Sequence, residues 1–262
     1  MLPFITVCGR TIGSYALCTI LGLCISGFVV CRLIKRHGIG IDDAILILLS
    51  VVGGIAVGGC LLYGATNTPT IITILQRPNA LSHRDTLSAL LSCFGGLVFY
   101  GGFLGGLLAL RTASRRLTPL QRTAFIDIYA VVTPLFHTFG RIGCFLGGCC
   151  YGIESRFGFL ITENPISPAV CGVIRFPVQL VEAGGNIVLF VILLYLFCRQ
   201  RFTGRLLPLY LLSYPVMRFA LEFLRGDAVR GIWGGLSTSQ WISLALFAIA
   251  VISLLQKNRR IA

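Results

Sequence analysis

Long apolar runs, separated by short connections that contain charged residues or proline, make up most of the chain. A helical run of about 20 predominantly apolar residues is long enough to cross the hydrocarbon core of a bilayer. The pattern predicts seven transmembrane helices, at residues 14–31, 41–64, 87–110, 123–149, 179–198, 206–224 and 238–255. We therefore expect an all-α integral membrane protein in which residues 1–262 form a single transmembrane domain.

The composition agrees with this prediction. Charged residues make up 12% of the chain and hydrophobic residues 56%, whereas charged residues make up roughly 25% of an ordinary soluble domain. A net charge of +13 would suit a nucleic-acid partner, but the basic residues stand in small groups between apolar runs, which is typical of membrane topology. The expected partner is the lipid bilayer, with no nucleic acid. The first apolar run lacks the flanks of a cleaved signal peptide, so we expect it to be retained.

Lysine and arginine are concentrated in alternate connections, and this predicts the orientation. The larger group comprises Arg32, Lys35, Arg36, Arg111, Arg115, Arg116, Arg122, Arg199, Arg201, Arg205, Lys257, Arg259 and Arg260. The smaller group comprises Arg10, Arg77, Arg84, Arg156, Arg175, Arg225 and Arg230. Because connections rich in lysine and arginine face the cytoplasm, we expect the N-terminus outside and the C-terminus in the cytoplasm.

Two arginines, Arg141 and Arg218, fall within or at the edge of predicted spans. An arginine at the bilayer centre costs at least about 2.5 kcal/mol, so each needs a partner, a wet cavity or an anionic ligand. Other polar residues lie at helical spacing from them or from each other. These sets are His137 with Arg141, Gln179 with Glu182, and Arg218 with Glu222 and Arg225. We expect these faces to point into the helix bundle.

These side chains admit two interpretations. Ion pairs of Arg141 with Glu182 and of Arg218 with Glu222 would hold helices together without any further role. However, the arginines near the outer half of the spans outnumber Glu182 and Glu222, and guanidinium groups bind phosphate bidentately. The excess therefore favours an anionic phospholipid head group as the ligand. A lone helical histidine such as His137 is usually a packing residue, with a general base as the alternative.

The cysteines and glycines near the predicted spans leave further alternatives open. Cys144, Cys149 and Cys150 with His137 would supply four metal ligands, but adjacent cysteines rarely bind one ion well, so we expect no metal and no cofactor. A disulfide of Cys149 or Cys150 with Cys171 is another alternative on an oxidising outer side. The glycines at 53–59 suit close helix packing, whereas those at 95–106 would also allow the third span to unwind around a cavity.

Five segments, in order, resemble the bacterial prolipoprotein diacylglyceryl transferases. The family signature G-R-x-G-N-F-x-N-G-E-x-Y-G corresponds to residues 140–152, which read G-R-I-G-C-F-L-G-G-C-C-Y-G. The other similar segments are I-G-S-Y-A-L at 12–17, F-P-V-Q-L-V-E-A at 176–183, Y-P-V-M-R-F-A-L-E-F-L-R-G-D at 214–227 and S-T-S-Q-W at 237–241. The resemblance covers nearly the whole chain.

The resemblance implies a seven-helix enzyme of the bacterial inner (plasma) membrane. Its reaction moves the diacylglyceryl group of phosphatidylglycerol to the lipobox cysteine of a secreted precursor protein and releases glycerol 1-phosphate. Arg141 and Arg218 would hold the phosphate and stabilise the leaving group, with Glu182 and Glu222 orienting them. The remaining substrate-binding residues that it implies are Tyr15, Gly101, Gly102, Gly140, Gly143, Gln179, Arg225 and Gln240.

The sequence departs from the family pattern in the H-G-G segment and in the signature. Tyr100 stands in place of a histidine in the family's H-G-G segment, and a phenol, with its ordinary pKa of about 10, is a poor base at neutral pH. Cys144, Gly147 and Cys149 replace two asparagines and a glutamate. His137, one turn before Arg141, is a candidate to activate the thiol instead of Tyr100.

We expect this transferase activity. The alternatives are a paralogue that transfers a lipid moiety to another acceptor, and a non-catalytic phospholipid-binding or transport protein.

Overall fold

The computed structural model describes residues 2–7, 10–76, 83–96, 98–161, 164, 168, 171–227 and 232–259. Most of these residues are helical. The α-helices are α1 (Ser14–Ile34), α2 (Ile41–Thr66), α3 (Thr68–Gln76), α4 (His83–Ser92), α5 (Phe99–Ala113), α6 (Pro119–Gly147), α7 (Val178–Cys198), α8 (Leu206–Glu222) and α9 (Thr238–Arg259).

The described residues form three short antiparallel ribbons, one before α1 and two in connections between helices. They pair β1 (Phe4–Val7) with β2 (Arg10–Gly13), β3 (Glu154–Leu160) with β4 (Ile174–Arg175), and β5 (Ile232–Trp233) with β6 (Leu236–Ser237). The second ribbon belongs to the long connection between α6 and α7. Its base is fixed to the segment after α8, because the amide of Ile153 donates to the carbonyl of Leu224 at 3.0 Å and Gly152 bridges to Arg225.

The chain forms two compact units, residues 1–33 with 127–262, and residues 34–126. Four helices among the described residues are long and apolar enough to cross a membrane: Ser14–His37, Ile41–Thr66, Val178–Cys198 and Thr238–Gln256. Each coincides with a predicted span. The chain is therefore a helical, multi-pass membrane protein, while seven spans, their orientation and a single domain over 1–262 stay predictions.

The third predicted span, 87–110, is not one helix. Helix α4 ends at Ser92, and residues 93–96 form a turn and a bend before α5 begins at Phe99. The ring of Tyr63 occupies the space beside Gly96, where an added Cβ would lie 2.5 Å from a ring carbon. Glycine at this position therefore lets an aromatic ring pack directly on the backbone, which a regular apolar helix would prevent.

Helices α2 and α5 cross at very close range through small residues on both sides. A Cβ at Gly54 would lie 2.5 Å from the carbonyl oxygen of Gly105, and a Cβ at Gly58 would lie 2.9 Å from the Cα of Gly105. Two G-x-x-x-G spacings, 54 to 58 and 101 to 105, thus meet face to face, which is how small residues let backbones approach. Gly53 takes no part, because nothing lies within 4 Å of its Cβ position.

In the first unit, buried polar contacts fix helix α6 against its neighbours. The carboxylate of Asp127 accepts hydrogen bonds from the backbone amides of Gly204 and Leu206, where α8 begins. Leu206 is the first residue of α8 and Gly204 lies just before it, and the first amides of a helix have no acceptor within the helix, so an acidic side chain from another helix caps α8. The hydroxyl of Thr138 also donates to the carbonyl of Ala183 on α7, at 3.4 Å. Such contacts hold the inner faces of α6, α7 and α8 together.

Candidate functional site

The carboxylate of Glu182 lies at the centre of a buried group of charged side chains. Its Oε2 is 2.9 Å from Nη2 of Arg141 and 3.5 Å from Nη1 of Arg218. Its Oε1 accepts a hydrogen bond of 3.1 Å from the hydroxyl of Tyr214. Glu182 is only 1% exposed, and both arginines are buried as well. One carboxylate from α7 therefore joins guanidinium groups from α6 and α8.

A second part of the network continues along α8 and beyond its end. Nη2 of Arg218 is 2.7 Å from Oε2 of Glu222, and Nη1 of Arg225 is 3.8 Å from the same oxygen. Arg225 also donates from Nε and Nη2 to the two carboxylate oxygens of Asp227, at 3.0 and 2.6 Å. The Nε of Arg218 donates to the hydroxyl of Ser239 on α9, at 3.1 Å. The charged side chains thus form one continuous series from Arg141 to Asp227.

The predicted excess of arginine over carboxylate at the site is wrong. Asp227 pairs with Arg225, and Nη2 of Arg175 lies 3.8 Å from Glu154, with the Arg175 guanidinium over the ring of Tyr151. The helical spacings used in the prediction missed both acids, because each lies outside a helix. The network still has an unused donor: Nε of Arg141 is buried without a hydrogen-bond partner among the described residues.

His137 faces the same carboxylate. Its Nε2 is 3.8 Å from Oε1 of Glu182, and its ring meets the ring of Tyr214 edge-on at 5.2 Å. The side chain is 6% exposed. The spacing of four residues on α6 therefore does place His137 and Arg141 on one inward face, and both contact Glu182.

The two predicted glutamines make local contacts that shape the site. Nε2 of Gln179 donates to the carbonyl of Cys149 at 2.9 Å, which fixes the turn after α6. Gln240 and Ser237 form a capping box at the start of α9, in which the Ser237 amide donates to Oε1 of Gln240 at 2.9 Å and the Gln240 amide donates to the Ser237 hydroxyl at 3.2 Å. Nε2 of Gln240 is buried and has no partner among the described residues, so it remains a donor.

The structure brings Tyr15 to the signature segment. A Cβ at Gly143 would lie 3.1 Å from Cδ2 of Tyr15 and 3.2 Å from Cβ of Cys18, so the absence of a side chain lets α1 pack closely on α6. Gly140, in contrast, has nothing within 4 Å of its Cβ position. Packing within the described residues therefore accounts for Gly143 but gives no reason for a glycine at 140.

Tyr100, Gly101 and Gly102 belong to the second compact unit, on α5. Tyr100 is buried and tilts against the ring of Phe99 at 5.7 Å. Both glycines face α2: a Cβ at Gly101 would lie 2.6 Å from Cβ of Leu62, and one at Gly102 would lie 3.2 Å from Cγ2 of Ile55. Close packing explains these two glycines, and a substrate contact by any of the three residues stays a prediction.

The cysteines that follow Arg141 lie together at the end of α6. Cys144, Cys149, Cys150 and Cys171 are all free thiols, so the alternative of a disulfide to Cys171 is not realised in this structure. Hydrogen bonds from Cys144 and Cys149 hold the pKa of the Cys150 thiol, in the turn beyond α6, well below its ordinary value. Arg141 and Arg225 act in the same direction on this pKa, while burial opposes them.

Three residues of the network carried no predicted role: Tyr214, Asp227 and Ser239. A signal for the first was present, since Tyr214 lies four residues before Arg218 and therefore on the same face of α8. Asp227 and Ser239 lie in the quoted segments but outside helical spacing from the arginines, so only the folded chain shows their contacts.

Comparison with known proteins identifies the family of this chain. Residues 3–256 match the model of the family described as prolipoprotein diacylglyceryl transferase. A phosphatidylglycerol–prolipoprotein diacylglyceryl transferase of Clostridium tetani is 30% identical over 246 residues, which cover 93% of this chain and 92% of the relative. One of Geobacter sulfurreducens is 32% identical and covers 94% and 91%, respectively. The second such enzyme of Clostridium perfringens is 36% identical over 203 residues, 75% of this chain and 72% of the relative.

The family match and the helical, apolar architecture lead to the same assignment. The match spans every helix that carries the buried network, from α1 to α9. The chain therefore belongs to the prolipoprotein diacylglyceryl transferase family of bacterial inner-membrane enzymes.

Proposed function

We propose that the chain transfers the diacylglyceryl group of phosphatidylglycerol to the lipobox cysteine of secreted prolipoproteins. Relatives named for this reaction match most of its length. The observation that carries the proposal is the position of Glu182 between Arg141 and Arg218, because all three lie in the segments that resemble the family. A buried pair of guanidinium groups on separate helices suits an anionic phosphate group.

The proposed roles of these residues follow from the charge that develops in the reaction. The acceptor sulfur forms a bond to the glyceryl carbon, the bond from that carbon to the phosphate oxygen breaks, and glycerol 1-phosphate leaves with the electron pair. Arg141 and Arg218 would stabilise the negative charge on the leaving phosphate, since preorganised cations in a dry site act most strongly there. Glu182 and Glu222 would keep the guanidinium planes in place.

The acceptor thiol must lose its proton, and we assign this step to His137. An imidazole is a better base at neutral pH than the phenol of Tyr100, which occupies the family's histidine position. The His137 ring also packs edge-on against Tyr214, and its Nε2 lies 3.8 Å from Oε1 of Glu182. On this assignment His137→Ala abolishes most turnover of a lipobox peptide, while Tyr100→Phe reduces it less. Unchanged turnover in His137→Ala, with the variant folded, would refute the role.

The remaining predicted residues complete the proposal. Arg225, Gln179 and Gln240 would bind polar parts of the lipid head group together with the unused Nε of Arg141. Tyr15 and Gly140 would contact the lipid, whereas Gly101, Gly102 and Gly143 would act through the close helix packing that they allow. We place these residues in a bundle of seven spans with the N-terminus outside, so that the long connection between α6 and α7 faces the secreted acceptor.

The test is complementation of a cell depleted of its own transferase, combined with an assay of purified protein on phosphatidylglycerol and a lipobox peptide. Arg141→Lys keeps the positive charge but loses the paired N–H donors of the planar guanidinium group. It should therefore lower turnover at least about tenfold, which corresponds to a loss of roughly 1.4 kcal/mol in transition-state stabilisation. Arg32→Gln is the matched control, because this exposed arginine contacts only the ring of Phe28 in the described contacts. Folded wild-type protein that retains phosphatidylglycerol without turnover would instead support the lipid-binding alternative.

A further inference from the structure

Three thiols converge at the end of α6, beside the proposed phosphate site. The sulfur atoms of Cys144, Cys149 and Cys150 all lie within 4.8 Å of one another. Cys144 is buried in the last turns of the helix, and the other two are half-buried in the turn that follows. The spacing of these cysteines along the sequence does not explain why the three sulfur atoms lie together. The backbone geometry of the turn after α6 does.

The turn after α6 brings Cys149 back over Cys144. Gly148 adopts a left-handed conformation, with φ of 72°. Its amide donates to the carbonyl of Phe145 at 3.3 Å, and the amide of Cys149 donates to the carbonyl of Cys144 at 3.1 Å. These two bonds form a Schellman motif, whose second bond joins residues five apart. The helix terminus itself therefore sets Cys149 next to Cys144.

The backbone at Cys150 is held in an unusual conformation. Its φ is 55°, in the left-handed region that residues with a Cβ rarely adopt. The hydrogen bond from Gln179 to the carbonyl of Cys149 and the bridge from Gly152 to Arg225 fix the chain on either side of it. In an extended chain adjacent side chains point apart, whereas here both sulfurs approach Cys144. Such local strain is retained where surrounding contacts impose it, often at functional sites.

We propose that Cys144, Cys149 and Cys150 bind one thiophilic metal ion, of the class of Zn²⁺ or Cu⁺. Thiolate ligands select such soft ions over Mg²⁺ and Ca²⁺. A zinc–sulfur bond of about 2.3 Å in tetrahedral geometry separates two sulfurs by about 3.8 Å, which is within the observed limit of 4.8 Å. Three protein ligands leave a fourth position for water or another ligand.

The surroundings of the thiols favour this occupant. Two of the three thiols, Cys149 and Cys150, are only half-buried, so their sulfur atoms are accessible to an ion. This inference does not depend on the proposed transferase activity, because the site can be occupied without lipid or acceptor.

The experiment titrates Co²⁺ into the full-length, detergent-purified protein after reduction with a phosphine. One equivalent should bind with thiolate-to-metal charge-transfer absorption, and Zn²⁺ but not Mg²⁺ should displace it. Loss of an outer-shell partner lowers metal affinity roughly 10- to 100-fold. Cys149→Ser removes a direct ligand, so it should weaken Co²⁺ binding by more than that. Cys24→Ser is the matched control, since Cys24 is an exposed thiol on α1, and its affinity should equal that of the wild type.

A second measurement on the unmutated protein removes any dependence on variant folding. Zn²⁺ should protect Cys149 and Cys150 from alkylation, as read by mass spectrometry of peptides, while Cys31, an exposed thiol near the end of α1, reacts at the same rate with and without the ion. Binding of less than one equivalent, charge-transfer absorption that persists in Cys149→Ser, or the absence of protection at Cys149 and Cys150 would each overturn the proposal.

Discussion

At the residue scale, Glu182 is the side chain on which the buried charges depend most directly. It contacts Arg141, Arg218, His137 and Tyr214. Glu182→Gln keeps the shape but leaves two buried guanidinium groups without their shared anion. Removing one partner of a buried ion pair typically costs about 3–5 kcal/mol. We therefore expect a markedly lower unfolding temperature in detergent, together with loss of transferase turnover.

Glu154→Gln is the control for this prediction. Glu154 lies 3.8 Å from Arg175, but its side chain is 70% exposed, and exposed ion pairs are worth about 1 kcal/mol or less. Its unfolding temperature should stay near that of the wild type. If both variants unfold at the same temperature as the wild type, the network around Glu182 does not stabilise the fold in the way its burial implies.

A substitution at Gly152, the last residue of the signature, tests how the backbone positions the charged network. A Cβ at this residue would collide with the carbonyl oxygens of Phe176 and Leu224, and Gly152 also bridges to Arg225. Gly152→Ala should therefore destabilise the protein by about 1–3 kcal/mol, as overpacking does, and lower turnover by displacing Arg225. Gly147→Ala is the control in unfolding measurements, since nothing lies within 4 Å of that Cβ position. Equal stability of the two variants would contradict the predicted collision.

Side-chain pairs within and between helices were more predictable from the sequence than contacts made by turns. Helical spacing and the family segments indicated the contacts of Arg141 with Glu182 and of Arg218 with Glu222, and the structure confirms both. The same reasoning missed the pairing of Arg225 with Asp227, because that contact forms after α8 has ended. The same reasoning also argued against a common ligand for adjacent cysteines, and this stays a prediction; what spacing alone does not reveal is the Schellman turn that brings the three sulfurs together.

At the element scale, the crossing of α2 and α5 depends on residues that have no side chain. A Cβ at Gly54 would lie 2.5 Å from the carbonyl oxygen of Gly105 and 2.6 Å from Cβ of Ala109. Gly54→Ala should force the two helices apart and lower stability by about 1–3 kcal/mol. Gly53→Ala, its sequence neighbour, meets nothing within 4 Å and should be neutral or slightly stabilising in a helix. Thermal unfolding in detergent checks both, and a neutral Gly54→Ala would refute the close crossing.

The observed helices coincide with the predicted apolar runs wherever no break interrupts the run. The predicted spans at 14–31, 41–64, 179–198 and 238–255 each fall within a single observed helix or within one residue of it. The run at 87–110 differs, because hydropathy does not distinguish a glycine inside a helix from a glycine in a break between two helices. Gly96 admits the ring of Tyr63, whereas Gly105 supports a helix crossing, and only their neighbours in space separate the two roles.

At the scale of the whole molecule, the buried charged network and the basic residues of the connections differ in their effect on membrane orientation. The arginines of the site are paired with carboxylates inside the first unit, so they contribute little to orientation. The basic residues that follow α1, α5 and α7 instead stand at helix ends. These are the residues that the positive-inside rule weighs.

This distribution predicts which side of the membrane each connection occupies. Alkaline phosphatase, which folds only outside the cytoplasm, should be inactive when fused after Arg36 or after Ala262 and active when fused after Arg156. Green fluorescent protein at the same positions should give the opposite pattern, which controls for fusions that fail to express. The reason is that the connection after α1 and the C-terminal end carry clustered basic residues, including Arg32, Lys35 and Arg36, which are retained on the cytoplasmic side. An active phosphatase after Ala262 would place the C-terminus outside, and the connection that follows the signature would then face away from any secreted acceptor.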